Sequence, residues 1–309
     1  MVEKFVSVIV PCLNEERFIS SCLDSIVRND YPKDKLEILV VDGGSKDRTR
    51  EIIKSKGEQF SVIKLLDNPR VTTPAAMNIG IQNAKGDIII KMDAHLVYAK
   101  DYISKCVQHL EESGADNVGG VLKSVPAKDT LIAKAVAISL SHPFGAGGSY
   151  FRTGAAESRE VDTGAFGWYK KEVFDKIGLY DERMEKTEDL ELNLRLRKAG
   201  GKIMLFPDIR ALYYPSSDTL GSFFRHNITD GIWTTYPLKF GFISGSLRHY
   251  IPLVFILTLP LSIWPYIPVS LFFSLGIAIL KKNISLFFVM PLAFGARHIG
   301  YGLGSLIGI

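Results

Sequence analysis

Thirty consecutive residues, Ile251–Leu280, carry no charge, and this run divides the chain more sharply than any other feature. A second uncharged stretch, Ile284–Ala296, continues past Arg297 and His298 to the end. About 20 apolar residues are enough for a helix to cross a bilayer. Thirty is long for one crossing and short for two. Pro260, Pro265 and Pro268 fall in the middle, where proline interrupts helical hydrogen bonding. A kinked span, a shallow hairpin and a re-entrant anchor all fit this pattern. Lys281 and Lys282 are expected on the cytosolic side, which leans towards the hairpin. No charge interrupts the run as it would in a soluble core, so membrane association is the expectation.

The rest of the chain is close to neutral. Residues 1–249 hold 34 basic and 33 acidic side chains. That balance offers no basic face for nucleic acid, so no nucleic-acid partner is expected. Cys12, Cys22 and Cys106 are odd in number and widely spaced, which reads as buried thiols in a reducing compartment. The apolar run at Phe5–Val10 is too short for a signal peptide and lacks a cleavage site. The N-terminal region is therefore expected in the cytosol.

Phe5–Val10 has the β-branched composition of a strand and is expected to break at Pro11. Asn14 is placed to cap a helix carrying Ile19, Cys22, Leu23, Ile26 and Val27 at helical spacing. Glu37–Val41 reads as a second strand. It runs into Asp42-Gly43-Gly44-Ser45, with Ser45 positioned to cap a helix bearing Ile52 and Ile53. Val62–Leu66 is a third strand and residues 74–84 a third helix. Gly86 then turns into a buried strand, Asp87–Met92, that ends at Asp93. This alternation predicts an α/β fold with a mixed, mostly parallel sheet flanked by helices. Ligands in such folds bind at the carboxyl ends of the strands, where Asn14, Asp42 and Asp93 lie. Beyond them, the glycine-rich stretch Ser139–Gly164 lacks a lysine in Walker spacing. It reads as a mobile loop near an acceptor or as a connector. Val173–Ile177 and Leu190–Ala199 read as helices, the second stopped by Gly200-Gly201. Ile203–Phe206 reads as a strand before Pro207.

Three acidic positions carry possible chemistry. A carboxylate at Asp42 can accept hydrogen bonds from a base or ribose, and the glycines let backbone approach a ligand. An Asp before Gly-Gly equally forms a turn. Asp93 and His95, two apart at an irregular strand end, can share a divalent cation with a diphosphate. Oxygen ligands suit Mg²⁺, whereas an imidazole in the set fits Mn²⁺ better. Glu188 and Asp189 open a helix, where carboxylates complement the dipole. A carboxylate there can also serve as general base towards a hydroxyl.

Taken in order, these motifs carry a resemblance. Ser7-Val8-Ile9-Val10-Pro11-Cys12-Leu13-Asn14-Glu15-Glu16, Val-Val-Asp42-Gly-Gly-Ser45 with Asp47-Arg48-Thr49, Met-Asp93-Ala-His95 and Glu188-Asp189 resemble the signature of family 2 glycosyltransferases with the GT-A fold. The likeness covers roughly residues 5–235. Segments around Asn68-Pro69-Arg70, Ala75-Ala76-Met77-Asn78 and Val161-Asp162-Thr163-Gly164 are similar to the membrane-attached succinoglycan-biosynthesis type. The resemblance implies that Pro11, Asn14 and Glu15 border a nucleotide pocket, with Asp42 holding the base. UDP-sugars are then the favoured donors. It implies Asp93 at ribose or metal, His95 beside it as a metal ligand where many relatives have Asp, and Asp189 as catalytic base with Glu188 next to it. A divalent cation, Mn²⁺ or Mg²⁺, is the expected cofactor. Polymerising relatives carry Gln-x-x-Arg-Trp, whereas Arg225–Trp233 keeps only the tryptophan.

The expected organisation is a GT-A domain over residues 1–235, a linker or interfacial segment over 236–250, and membrane-associated helices over 251–309. The expected activity is inverting transfer from a nucleotide diphosphate sugar to a hydroxyl of a lipid-linked saccharide, in polysaccharide or glycan assembly. The expected location is the cell membrane, with the catalytic domain cytosolic. A polyprenyl-phosphate sugar synthase and a non-catalytic nucleotide-binding subunit of a membrane complex are the alternatives.

Overall fold

The structure, a computed structural model, describes residues 4–241 and 246–309, with 165 and 166 described in backbone only. Residues 242–245 of the expected linker lie outside the described residues. Among the described residues nine strands form: β1 (Val6–Cys12), β2 (Leu36–Asp42), β3 (Ile63–Asp67), β4 (Ile88–Lys91), β5 (Leu96–Tyr98), β6 (Asn117–Ser124), β7 (Arg159–Glu160), β8 (Ala165–Lys170) and β9 (Ile203–Tyr213). The helices of the first unit are α1 (Ile19–Val27), α2 (Thr49–Gln59), α3 (Thr73–Asn83), α4 (Tyr102–Glu112), α8 (Glu172–Ile177) and α9 (Glu188–Lys198). Those of the second are α5 (Leu131–Ser141), α6 (Pro143–Ala146), α7 (Tyr150–Thr153), α10 (Leu220–Thr235), α11 (Ile251–Leu257), α12 (Leu259–Leu280) and α13 (Ser285–Gly308).

The chain forms two compact units, Met1–Leu122 with Ala155–Tyr213, and Lys123–Gly154 with Tyr214–Ile309. This differs from the boundary expected at residue 235. The stretches 123–154 and 214–235 join the C-terminal helices because α5 and α10 bury faces against α13.

In the first unit the sheet runs β3-β2-β1-β4-β8-β6-β9-β5, with β7 paired to β9. Its N-terminal half is parallel, each strand returned by a helix. β8 pairs antiparallel with β4 and β6, and β9 pairs antiparallel with β5 and β7. Ile9, Leu39, Val41 and Ile89 from the sheet pack on Met77 and Ile81 of α3 and on Leu192 and Leu196 of α9. Two predicted breaks do not occur. β1 continues through Pro11, which pairs with Val41. Ile9 accepts from Met92 towards β4, so Pro11 turns its nitrogen to the same side, where β4 has already ended. A missing N–H is tolerated at such a local edge. β9 likewise passes Pro207, between the short stretches paired to β7 and β5.

In the second unit, Pro265 and Pro268 lie inside α12 without ending it, and the break falls at Thr258, before Pro260 in the first helical turn. Ser139–Gly164 is largely ordered into the end of α5, two single-turn helices and β7, instead of the predicted loop. The tightest packing is between α10 and α13. Gly300, Gly304 and Gly308 of α13 lie against the carbonyls of Phe224, Ile228 and Ile232 of α10. A Cβ at Gly304 would sit 2.0 Å from the Ile228 oxygen. In return, Gly231 meets Tyr301 and Ser305. Small residues every four positions let two helix backbones approach closely. Hydrogen bonds from Thr234 to Tyr301 (2.7 Å) and from Thr235 to the Ser305 carbonyl (2.8 Å) fix the register.

The glycine ladder predicts that Gly304→Ala destabilises the protein by about 1–3 kcal/mol through overpacking. Gly276→Ala, whose Cβ would meet nothing within 4 Å, should leave the thermal midpoint in detergent almost unmoved. Equal midpoints for the two variants would refute the ladder.

Candidate active site

The loops after β1 and β2 are stitched together by reciprocal hydrogen bonds. Asn14 N–H donates to Ser45 Oγ (2.8 Å), and Lys46 N–H donates to Asn14 Oδ1 (2.8 Å). Glu15 N–H donates to Thr49 Oγ1 (2.8 Å), Glu16 N–H to Asp47 (3.2 Å), and Arg48 N–H back to Glu16 (3.1 Å). These pairings replace the predicted caps. α1 starts at Ile19 behind Phe18, not at Asn14, and α2 starts at Thr49, whose N–H and hydroxyl bond Asp47.

Asp42 anchors this stitch from beneath. Its carboxylate is completely buried and accepts from the N–H groups of Gly44 and Ser45, the Ser45 hydroxyl and Arg50 (2.7 Å). Burial alone would raise its pKa, but Ser45 and Arg50 overcome that and hold it below the usual carboxylate range. The other arm of Arg50 reaches Asp67 (2.7 Å), tying the ends of β2 and β3 together. In this structure the carboxylate expected to hold a base is engaged by the turn it closes and by Arg50.

Between these loops and the ends of β1 and β4 opens a cleft of 320 Å³. Pro11, Glu15, Asp93, His95 and Glu188 line it, whereas Asn14, Asp42 and Asp189 do not. A further wall, missed by the sequence reading as a site element, is Asn68–Thr73. Asn68 is buried and holds that segment through Thr72 O (2.9 Å) and Arg70 N–H (3.2 Å).

Asp93 and His95 stand at one side. The Asp93 carboxylate has no hydrogen-bond partner among the described residues, while its backbone carbonyl accepts from Cys22 and Tyr98. His95 Nδ1 is 3.3 Å from Glu15 Oε1, and its ring lies edge-on to Tyr213. Burial pushes the His95 pKa down, but Glu15 and Asp93 outweigh it, and the net direction is up. No group of three His, Cys, Asp or Glu side chains that could hold an ion forms among the described residues. The donor set at Asp93 and His95 instead fits an ion completed by ligand phosphate oxygens and water.

On the other side is a residue the sequence reading overlooked. Lys91, at the end of β4, is 4 % exposed, with its ammonium 2.6 Å from Glu188 Oε1 and 2.7 Å from Asp189 Oδ2. Burial would strip its proton. Asp189, Glu188 and Asp93 reverse this and hold its pKa well above the ordinary value. Two carboxylates share one cation, so the buried Glu188 keeps a raised pKa, with burial the first cause and Lys91 opposing it. Asp189 is the more accessible carboxylate, and Tyr180 OH lies 3.4 Å from its second oxygen. Asn78 of α3 clamps the approach to α9 by bonding Tyr180 N–H (2.9 Å), Tyr180 O (3.0 Å) and Glu182 (3.0 Å). The available signal was a lysine inside Ile88-Ile89-Ile90-Lys91, a strand that reads as buried. A buried ammonium demands carboxylate partners.

A family model described as glycosyl transferase family 2 matches residues 7–178. The chain belongs to this family. Its relatives include the dolichyl N-acetyl-alpha-D-glucosaminyl phosphate 3-beta-D-2,3-diacetamido-2,3-dideoxy-beta-D-glucuronosyltransferase of Methanococcus voltae. That protein is 31% identical over 248 residues, 78% of this chain and 76% of the relative. Succinoglycan biosynthesis protein ExoA of Rhizobium meliloti is 32% identical over 221 residues, 71% of this chain and 66% of its own length. Among solved structures, mannosyltransferase PcManGT from Pyrobaculum calidifontis, in complex with GDP-Man and Mn2+, superposes with a TM-score of 0.66. It does so at 20% identity over 97% of this chain and 88% of its own. TarS 1-349 of S. aureus in complex with UDP gives 0.53 at 18% identity, over 96% and 90%. The expected GT-A fold is the fold found, and the family 2 chain is a glycosyltransferase.

Lys91→Met would leave two carboxylates without their buried cation and should cost about 3–5 kcal/mol of stability. Adding Glu188→Gln should restore part of the loss, read as a rise in thermal midpoint over the single variant. A single variant as stable as the parent would show that the triad carries no weight.

Proposed function

We propose that this glycosyltransferase moves a sugar, with inversion, from a nucleotide diphosphate sugar to a hydroxyl of a lipid-linked saccharide. The observation that carries this reading is the arrangement of one cleft: Asp93 and His95 on one side and Lys91 with Glu188 on the other, with Asp189 bound to the same Lys91 just behind that lining. A leaving group and an acceptor can be served from those two sides at once.

In this mechanism Pro11, Glu15 and Asp93 border the donor, and Asn14 and Asp42 hold the loops that shape its pocket. Asp93 and His95 would hold a divalent cation, Mn²⁺ or Mg²⁺, which neutralises charge on the departing nucleoside diphosphate when bound. Asp189 takes the proton from the acceptor hydroxyl. The hydroxyl oxygen then bonds to the anomeric carbon from the face opposite the diphosphate, and the old glycosidic oxygen leaves with the bonding pair. Lys91 keeps both carboxylates in place, and Glu188 lines the floor beside the base. A carboxylate so carefully held favours a hydroxyl acceptor over an already ionised phosphate.

The lipid-linked acceptor is supported from two directions. The Methanococcus voltae relative is named for a dolichyl-linked substrate. Within this chain, α12 and α13 have 22 and 24 residues and are long and apolar enough to cross a membrane. α13 is flanked by α5 and α10, which carry Lys134, Arg225 and Asp230. The outward side of α12 shows Leu261, Trp264, Phe272 and Ile279, each at least 67 % exposed. Exposed apolar area of this kind is a lipid-facing surface. We read the hairpin as seated in the cytosolic face of the cell membrane by that side, with the catalytic unit cytosolic. The donor screen must carry both UDP- and GDP-sugars, since the solved neighbours are named with both nucleotides.

Two outcomes test the chemistry. Radiolabel from a UDP- or GDP-sugar should pass into the lipid phase in membranes with Mn²⁺ or Mg²⁺, and thorough chelation should abolish it. Transfer surviving chelation would remove Asp93 and His95 from a metal role. Asp189→Asn should lose at least ~10²-fold in rate while still binding nucleotide. Unchanged transfer by that variant would sink Asp189 as base.

A further inference from the structure

The second unit holds a cavity of its own. It measures 220 Å³ and is walled by Gly145, Gly147, Gly148, Arg248, His249 and Arg297, among others. Its described lining carries two guanidinium groups and no Asp or Glu, with Asp230 of α10 within electrostatic reach of the lining Tyr301. The volume lies below the ~300–1,000 Å³ of sites for drug-sized ligands, a size for a headgroup and not for a saccharide.

Both arginines are positioned by the glycine-rich loop. Arg297 Nε donates to the Gly145 carbonyl (2.5 Å), and Arg248 Nη1 donates to the Gly148 carbonyl (2.6 Å). His298 is held alongside by the Phe144 carbonyl (2.9 Å) and the Tyr266 hydroxyl (3.0 Å). Arg297 also reaches towards Asn227, which is fully buried (3.4 Å). A cation carried on an otherwise apolar helix marks a functional position more often than a structural one.

The surroundings say which anion belongs there. Leu247 and Ile251 bracket Arg248 and His249, and they are 83 % and 64 % exposed. Charge recognition and lipid-compatible surface therefore meet within one helical turn. A lipid phosphate makes the same transition, from charge to hydrocarbon, over a similar distance. Guanidinium groups suit phosphate oxygens through paired N–H donors.

We propose that this cavity binds the phosphate or diphosphate group of a membrane lipid. The proposal rests on the lipid-linked acceptor reading only for the choice of a polyprenyl probe.

The test is calorimetric titration of the full chain in detergent micelles with farnesyl diphosphate, farnesol and sodium pyrophosphate. No sugar donor is present, so the result stands whether or not transfer chemistry has been assigned correctly. Farnesyl diphosphate should bind and farnesol should not. Arg248→Gln and Arg297→Gln should each weaken binding tenfold or more, and Arg248→Lys should recover part of the loss. Arg248 sits in a surface turn, so its variants carry the test if Arg297→Gln fails to fold. Parental affinity in both Gln variants would overturn the proposal, as would farnesol binding equal to that of the diphosphate. Pyrophosphate binding as tightly as farnesyl diphosphate would assign the site to soluble phosphate and overturn the lipid.

Discussion

Lys91 sits where a strand of isoleucines would otherwise continue, and the geometry of the site depends on how its charge is held. An ammonium buried without partners costs several kcal/mol. It can stay charged only if carboxylates reach it, and the two that do belong to α9, 97 and 98 residues further on. The ion pair thus fixes the beginning of α9 against the end of β4. Once that is set, Tyr180 can approach Asp189, and Asn78 can clamp the segment leading into the helix. The excess of acid over base also has a consequence. Two carboxylates share one cation, so the buried Glu188 stays reluctant to ionise.

The opposite wall is rigid for a different reason. There the loops after β1 and β2 satisfy each other's backbone groups, and Asp42 with Arg50 ties them to β3. Three residues beside the cleft take left-handed backbone angles without being glycine: Asn14 at φ 55°, Val71 at 69° and Thr187 at 60°. For Asn this is mild, but for β-branched Val and Thr it stores about 1–3 kcal/mol each. Thr187 immediately precedes the two carboxylates, and Val71 lines the cleft. Strain persists at such positions only where surrounding bonds over-determine the backbone, and here Asn68 and the Lys91 pair supply them.

The parts of this chain that were legible in the sequence are those where one local rule decides. β-branched runs and helical spacing located β1 to β4 and the intervening helices to within a few residues. The order of motifs located Glu15, Asp93, His95 and Glu188 around one cleft. The misreadings came where tertiary context overrides the local rule. Pro11 and Pro207 break strands only when the lost N–H has a partner to lose, and in both places the neighbouring strand has ended. Asn14 and Ser45 are good caps, but each found a stronger partner in the other's loop. Asp42 ends its strand as expected, but its buried bond to Arg50, eight residues away, follows from no local rule. The division into two units was not legible because glycines at 300, 304 and 308 mark a helix interface without naming the helix that fills it.

Lys91 and Arg297 pose the same problem in two surroundings, a lone cation within an apolar run, and the two solutions differ in kind. Lys91 is met by carboxylates, and the result is a closed cluster with excess negative charge that can take up a proton. Arg297 donates to the Gly145 carbonyl and reaches the Asn227 amide oxygen, so side chain and main chain of two neighbouring segments orient it. The first arrangement suits a site that handles protons. The second places two guanidinium groups, Arg297 and Arg248, on one cavity wall. Placed beside exposed apolar residues, such a pair is complementary to an anion on a hydrocarbon chain.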